Sequence, residues 1–279
     1  MNRESLVSAG FIAAWRGVRL LPEDTAHALF RRAADRLFAR NGSGVRQLRE
    51  NLAVAAPEAD LDELTRAGVR SYLRYWCEAF RLPSWPADDL VARTRTVGEE
   101  HLRAAYDGPG AIVALPHTAN WDWAGAWACA TGMPVVAVAE RLRPVRVYDE
   151  FVAFRESIGM EILPLDGAET MTGLVDAVAR RRLICLLSDR DLTGSGIEVD
   201  LLGSRAKVPA GPALLARRTG AAVIPASFAY DGRETVLTFH PPVEPGRPSH
   251  MMQTVADAFT SGIRAHPQDW HMMQKVFVA

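Results

Sequence analysis

Short apolar runs alternate with helical patterns from residue 93 onward, and this alternation restricts the fold more than any other feature of the chain. The apolar runs lie between turn residues and predict buried strands at residues 111–115, 134–139, 161–163, 183–187 and 222–226. Helical spacing fills the intervals between them, at residues 121–130, 147–158, 170–180 and 211–219. Strands that alternate with helices form a mainly parallel central sheet flanked by helices. Two later runs, 228–230 and 235–239, flank Asp231-Gly232 and predict a hairpin.

The first 86 residues lack this alternation and have the spacing of helices instead. One helical pattern begins at Pro22, others cover residues 45–55 and 61–80, and residues 82–86 form a proline-containing connector. The sequence therefore predicts an N-terminal amphipathic and helical layer, residues 1–86, attached to an α/β core, residues 87–279. A chain of 279 residues can bury both parts as one integrated domain.

Residues 5–21 form an apolar stretch that Arg16 and Arg19 interrupt. Its run from Leu6 to Trp15 is too short to span a bilayer, and the stretch lacks the basic start and the cleavage site of a signal peptide. Two interpretations stay open, a helix lying in the membrane interface and a plain helix packed on the core. Residues 1–50 carry nine arginines against five acidic residues. This excess suits an anionic membrane surface, whereas charge alone favours a solvated helix face.

The net charge and the cysteines exclude other classes of protein. A net charge of −1 gives no basic field for nucleic acid, so no nucleic-acid partner is expected. The three cysteines are odd in number, far apart and set among apolar neighbours, which predicts free thiols in a reducing compartment. No spacing of cysteines and histidines is typical of zinc, so no metal is expected.

His117 follows the predicted strand 111–115, and Asp122 lies five residues later in the first turn of the next predicted helix. A carboxylate is favoured there by the unpaired N–H groups of the helix start. It can also accept from one imidazole nitrogen, which leaves the other nitrogen to take a proton from a hydroxyl group. The alternative is a structural histidine at the end of a strand.

Charged residues follow two other predicted strands. Glu140 follows the run 134–139, and Arg190 and Asp191 follow the run 183–187. The ends of parallel strands meet at one edge of a sheet, so these side chains should converge with His117 as the rim of an active site. The alternative is a network of caps and salt bridges. At Gly211, the N–H groups of a helix start can receive an oxyanion or a phosphate, or the glycine serves a turn only.

Three segments carry a resemblance to a known family. They are HTANWD at residues 117–122, the block from SDRDLTGSGIEVD to TGAAVIP at residues 188–225, and PQDWHMMQ near the C-terminus. Together they resemble the lysophospholipid and lipid A acyltransferase superfamily, which has a His-x4-Asp motif. They are similar in particular to the actinobacterial phosphatidylinositol mannoside acyltransferases. The lipid A branch usually has glutamate where this chain has Asp122.

The resemblance implies an acyltransferase with a glycerolipid acyltransferase-like fold. It implies transfer of a palmitoyl-like chain from acyl-CoA, a co-substrate, to a mannose hydroxyl of phosphatidylinositol mannoside, with no bound cofactor. By this resemblance His117 is the general base, Asp122 orients it and Asp191 supports it. An arginine of the family matches Arg155. Substrate binding is assigned to Asn120, Glu140, Arg155, Arg190 and Gly211.

The expected location is cytoplasmic, with peripheral binding to the inner face of the cell membrane. Three alternatives stay open: an acyltransferase acting on another glycolipid or on a lysophospholipid, an acyl-CoA thioesterase, and a non-catalytic glycolipid-binding protein. A serine hydrolase is disfavoured because the chain has no Gly-x-Ser-x-Gly motif.

Overall fold

The computed structural model describes residues 15–141, 144–191 and 194–278. Residues 15–18 are helical and residues 19–21 form a turn, whereas the first part of the predicted interfacial helix, residues 5–14, lies outside the described residues. No helix of the described part is long and apolar enough to cross a membrane.

After the helical residues 15–18, the described part of the N-terminal layer contains three longer helices: α1 (Glu23–Arg40), α2 (Ser43–Ala55) and α3 (Leu61–Arg81). The first turn of α1 carries Glu23 and Asp24, which suit the positive end of the helix dipole. The side chain of Asp60 caps α3 by accepting from two backbone N–H groups. A short 3-10 turn (Leu82–Ser84) then leads into the core, as the predicted connector requires.

The core continues with strands and helices in near alternation. In order they are α4 (Ala87–Ala92), β1 (Thr94–Val97), α5 (Glu99–Asp107), β2 (Ala111–Leu115), α6 (Trp121–Ala130), β3 (Val135–Ala139), α7 (Val145–Ser157), β4 (Glu161–Pro164), α8 (Gly167–Ala179), β5 (Leu183–Leu187), β6 (Ile197–Leu201), β7 (Ser204–Val208), α9 (Gly211–Thr219), β8 (Ala222–Asp231), β9 (Glu234–Phe239) and α10 (Pro248–Ala265). A last 3-10 turn covers Pro267–Asp269.

Seven strands form the central sheet in the order β1-β9-β8-β2-β5-β3-β4. The strands β8, β2, β5, β3 and β4 pair in parallel, and β9 pairs antiparallel with β8. The predicted α/β class, with a mainly parallel sheet flanked by helices, is confirmed. The runs predicted at 222–226 and 228–230 belong to one strand, β8, because its pairing with β9 continues beyond the end of β2.

Alternate residues of β2 face opposite layers of the core. Ala111, Val113 and Leu115 pack in a cluster with α3 and α6, whereas Ile112 and Ala114 pack in a cluster with α8, α9 and α10. This alternation follows from the two-residue period of a strand, and it explains why both faces of the sheet are covered. Because the first cluster also contains Tyr75 of α3, the N-terminal layer shares its core with the sheet.

Candidate functional site

His117 and Asp189 meet at the C-terminal edge of the sheet. Leu115 of β2 lies opposite Leu187 of β5, so each residue of the pair stands two positions beyond a matched strand residue. The N–H of Ser188 donates to the Leu115 carbonyl and extends the pairing past the strand ends (2.8 Å). The Nδ1 atom of His117 then lies 2.6 Å from Oδ1 of Asp189.

The Asp189 carboxylate is fully buried and receives three N–H groups. Its Oδ2 atom accepts from the backbone N–H of His117 and from Nε1 of Trp270, each at 2.9 Å. Burial raises the pKa of Asp189, but the charge and hydrogen bonds of His117 and the Trp270 bond outweigh it, so the pKa lies below its ordinary value. An ionised carboxylate only accepts, so Nδ1 of His117 carries the proton and Nε2 is the basic nitrogen.

Asp122 does not contact the imidazole in the structure, which corrects the contact expected from the sequence. Its buried carboxylate accepts from the hydroxyl of Tyr75 on α3 (2.8 Å) and from Nε of Arg155 on α7 (2.7 Å). Burial lowers the pKa of Arg155, yet the Asp122 charge outweighs this and raises it overall. Both carboxylate oxygens of Asp122 are therefore used in joining three helices.

Asp191 was expected to support the imidazole of His117, but two of its hydrogen bonds lie in a loop instead. Its Oδ2 accepts from the backbone N–H of Gly196 at 2.7 Å, and its own N–H donates to the carbonyl of Lys207 at 3.0 Å. These bonds hold the loop that leads into the β6–β7 hairpin. The residue that supports the imidazole is Asp189, because the β2–β5 register places it, and not Asp191, level with His117.

The other predicted site residues occupy different environments. Asn120 is fully buried and caps α6, accepting from the Trp123 N–H (2.9 Å) and donating to Glu78 (3.2 Å). Glu140 is exposed after β3, Arg190 is partly exposed beside Asp189, and Gly211 begins α9. Of the residues assigned to substrate binding, Arg155 is the one joined directly to the motif aspartate.

The C-terminal segment completes the site, and sequence reasoning missed its role. The N–H of His271 donates to the carbonyl of His117 at 2.8 Å, and Thr118 forms an antiparallel bridge with Trp270. The Nε2 of His271 lies 2.9 Å from the hydroxyl of Ser71, which donates to Asp269 at 2.6 Å. Trp270 and His271 lie in the PQDWHMMQ segment, so the resemblance marked the segment without indicating these bonds.

A narrow apolar cavity of about 70 Å³ lies between the sheet and α6, beside the motif. Trp121, Asp122 and Arg155 form part of its lining, and the Trp121 ring stands edge-on to the His117 ring at 5.4 Å. Other lining residues are apolar: Val113, Leu115, Trp127, Met160, Leu187, Phe228 and Phe239. A partly exposed basic imidazole next to an apolar cavity can deprotonate a hydroxyl group beside a bound alkyl chain.

The fold and this site define a class of protein, and comparison with known families agrees with it. A model of the bacterial lipid A biosynthesis acyltransferases matches residues 1–278, and the chain belongs to this family of acyltransferases. Among the described residues, no cluster of histidine, cysteine and acidic side chains is placed to hold a metal ion.

The names of individual relatives are more specific than the description of the family. The chain is 44% identical to the phosphatidylinositol mannoside acyltransferase of Mycolicibacterium smegmatis over 278 residues, which cover 97% of this chain and 91% of the relative. It is 42% identical to the protein of the same name from Mycobacterium tuberculosis, over 96% of this chain and 88% of the relative. The resemblance stated from the sequence is confirmed.

Proposed function

We propose that this chain transfers a fatty acyl group, palmitoyl-like in length, from acyl-CoA to a mannose hydroxyl of phosphatidylinositol mannoside. The acceptor follows from the names of the relatives, which share more than two fifths of their residues with this chain. The observation that supports the chemistry is the 2.6 Å contact between Nδ1 of His117 and the buried Asp189, next to Trp121, which lines an apolar cavity.

In the proposed reaction, Nε2 of His117 takes the proton of the hydroxyl group as its oxygen attacks the thioester carbonyl. The imidazolium that forms is stabilised by the Asp189 carboxylate, which already holds Nδ1. When the tetrahedral intermediate collapses, the carbon–sulfur bond breaks and the imidazolium proton passes to the coenzyme A thiolate. The products are the ester and free coenzyme A, and His117 returns to its neutral form.

We assign the part of the acyl chain nearest the thioester to the apolar cavity, whose volume of about 70 Å³ holds only a short stretch of it. Each methylene group moved from water into such a lining gains about 0.8 kcal/mol. In this proposal Asp122 is a positioning residue. Its hydrogen bonds with Arg155 and Tyr75 join α6, which lines the cavity, to α7 and α3.

The test is a mass-spectrometric assay of the purified protein with palmitoyl-CoA and phosphatidylinositol mannosides. We expect an acylated mannoside from the wild type, and a rate lower by about 10²–10⁴ from His117→Ala. Free palmitate in place of the acylated product would identify a thioesterase. A folded His117→Ala protein with wild-type turnover would contradict the assignment of the base.

We further propose that the chain binds the inner face of the cell membrane peripherally. The support is the apolar exposure of Leu20 (87%) and Val145 (64%). The two residues lie on segments joined by the ion pair between Arg16 and Glu150 (2.9 Å). Exposed apolar groups next to arginines are typical of surfaces that enter an anionic headgroup layer.

A further inference from the structure

A second cavity of about 500 Å³ lies between α1, α3 and the β8–β9 hairpin. We call it the α1–α3 cavity. Arg70, Arg74 and Glu78 of α3 line it, whereas Tyr72 and Tyr75 contact His271 on another face of the same helix. His117 is not part of the lining of this cavity, and its volume falls in the range of small-molecule sites.

The charged side chains of this cavity are mostly paired with one another. Glu23 binds Arg93 and Asp24 binds Arg233, each at 2.8 Å. Arg74 binds Glu78 at 2.6 Å. Because each of these three acids neutralises a neighbouring guanidinium, the three pairs produce little net field for a free ion. Their remaining lone pairs and N–H groups can still bond to neutral hydroxyl groups.

Three polar side chains of the lining have no hydrogen-bond or ion-pair partner among the described residues. Within the part of the chain that the structure describes, no hydrogen bond or ion pair joins the side chains of His27, Arg31 or Gln268 to the protein. Burial lowers the pKa of His27, so its imidazole is neutral near pH 7 and can both donate and accept. Trp85, Trp123 and Phe30 provide apolar surface beside these groups.

We propose that the α1–α3 cavity binds a neutral, hydroxyl-rich ring of the hexose or cyclitol type. Such a ring has apolar faces for the aromatic side chains and several hydroxyl groups at its edge. Those hydroxyl groups match a lining that offers a carboxamide, a neutral imidazole and paired charges. An inorganic anion or a long alkyl chain would leave most of these groups unused.

The cavity also touches the start of the motif helix. Glu78, which forms part of its wall, accepts from the amide of Asn120 at 3.2 Å, and Asn120 caps α6. A ring bound against Glu78 would therefore contact a residue that is hydrogen-bonded to Asn120, the cap of the helix that carries Asp122.

Titration calorimetry and ligand-observed NMR with methyl α-D-mannopyranoside and with myo-inositol test the proposal. We expect saturable binding of at least one ring to the wild-type protein. Gln268→Leu and Arg31→Met each remove an unused polar group, and we expect each to weaken binding about three- to tenfold, the effect of one lost hydrogen bond. The matched changes Gln47→Leu and Arg36→Met lie outside the cavity and should bind like wild type.

The choice of these probes rests on the proposed function, but the binding of a free ring does not require acyl transfer. The same titration with His117→Ala should give the wild-type affinity, so failure of the catalytic proposal and failure of this one are distinguishable. Absence of saturable binding by both rings, or equal affinity in all four variants, would overturn the proposal. Competition by inorganic phosphate at a lower concentration than the ring would replace it with an anion site.

Discussion

His117 can act as a base only if its Nδ1 proton is held and its Nε2 is left open. Asp189 meets the first condition, since its carboxylate accepts a hydrogen bond from Nδ1 at 2.6 Å. The histidine side chain stays 31% exposed, which meets the second condition. Trp270 adds a third N–H to the same carboxylate from a fully buried position. At the scale of single residues, the site is a histidine whose tautomer is fixed by a buried anion.

The first residue-scale prediction separates Asp189 from Asp191. Asp189→Asn keeps the size of the side chain but removes the charge that stabilises the imidazolium, so turnover should fall by about 10²–10⁴. Asp191→Asn, which affects the loop at Gly196, should reduce turnover much less. Steady-state rates with palmitoyl-CoA measure both. A larger loss in Asp191→Asn would restore the assignment expected from the sequence.

A second residue-scale prediction concerns pH and stability. Burial and the charge of His117 lower the pKa of His271 from 6.5 to about 3 in the folded state. Below pH 6.5 the unfolded chain binds a proton here that the folded chain does not, so stability should decrease as the pH falls from about 6.5 towards 3. The slope from this group approaches about 1.4 kcal/mol per pH unit.

Urea unfolding at pH 7 and at pH 5 tests this slope. His271→Gln keeps a donor for Ser71 but cannot titrate, so its stability should vary less with pH than that of the wild type. His250→Gln, at an exposed position, serves as the control and should retain the wild-type slope. Equal slopes in the wild type and in His271→Gln would contradict the prediction.

At the scale of elements, the contact of Asp122 with Tyr75 and Arg155 joins α6 to α3 and α7. Removing one partner of a buried ion pair leaves the other charge uncompensated. Arg155→Met should therefore lower the free energy of unfolding by about 3 kcal/mol, measured by urea titration. The double variant Asp122→Asn/Arg155→Met removes both charges and should recover part of this loss.

The same variants distinguish a positioning role from a catalytic one. If Asp122 acts through the helices, Asp122→Asn should reduce stability and raise the KM for palmitoyl-CoA, while the pH profile of the residual activity stays that of the wild type. If Asp122→Asn were as stable as wild type but as slow as His117→Ala, Asp122 would belong with the proton transfer after all.

In the whole molecule, the N-terminal segment is partly packed on the core and partly exposed. Trp15 is buried, with its ring 4.7 Å from that of Phe151, and Arg81 donates to the carbonyls of Val18 and Leu21. Leu20 on the same segment is 87% exposed. Deleting residues 1–21 would therefore remove core contacts together with the apolar surface, and a point change is the better test.

Leu20→Glu should weaken sedimentation with anionic phosphatidylglycerol vesicles by about tenfold or more, because burying a leucine contributes roughly 1.5–3 kcal/mol. Leu214→Glu, at a partly exposed position on α9, controls for the added charge. Equal sedimentation of the two variants would contradict a membrane face at Leu20. Thermal unfolding at the wild-type temperature would confirm that both variants are folded.

Sequence reasoning missed strands β1, β6 and β7, and two different physical causes explain this. The hairpin of β6 and β7 turns at Leu202-Gly203, where both residues have positive φ (61° and 84°), and leucine gives no signal for such a turn. Strand β1 is short and half-exposed at the edge of the sheet, so its residues form no apolar run. By contrast, β2, which is fully buried, and β5, which is mostly buried, have continuous apolar sequences, and both were predicted.

The sequence by itself determined the α/β class, the family and the place of His117 after β2, because these depend on patterns within short segments. The tertiary structure alone decided which groups His117 and Asp122 contact. Their partners lie far away in the chain: Asp189 is 72 residues from His117, and Tyr75 is 47 residues from Asp122. The register of the strands and the packing of the helices decide which of several acidic residues at one sheet edge contacts His117. A local sequence pattern carries no information about register or packing.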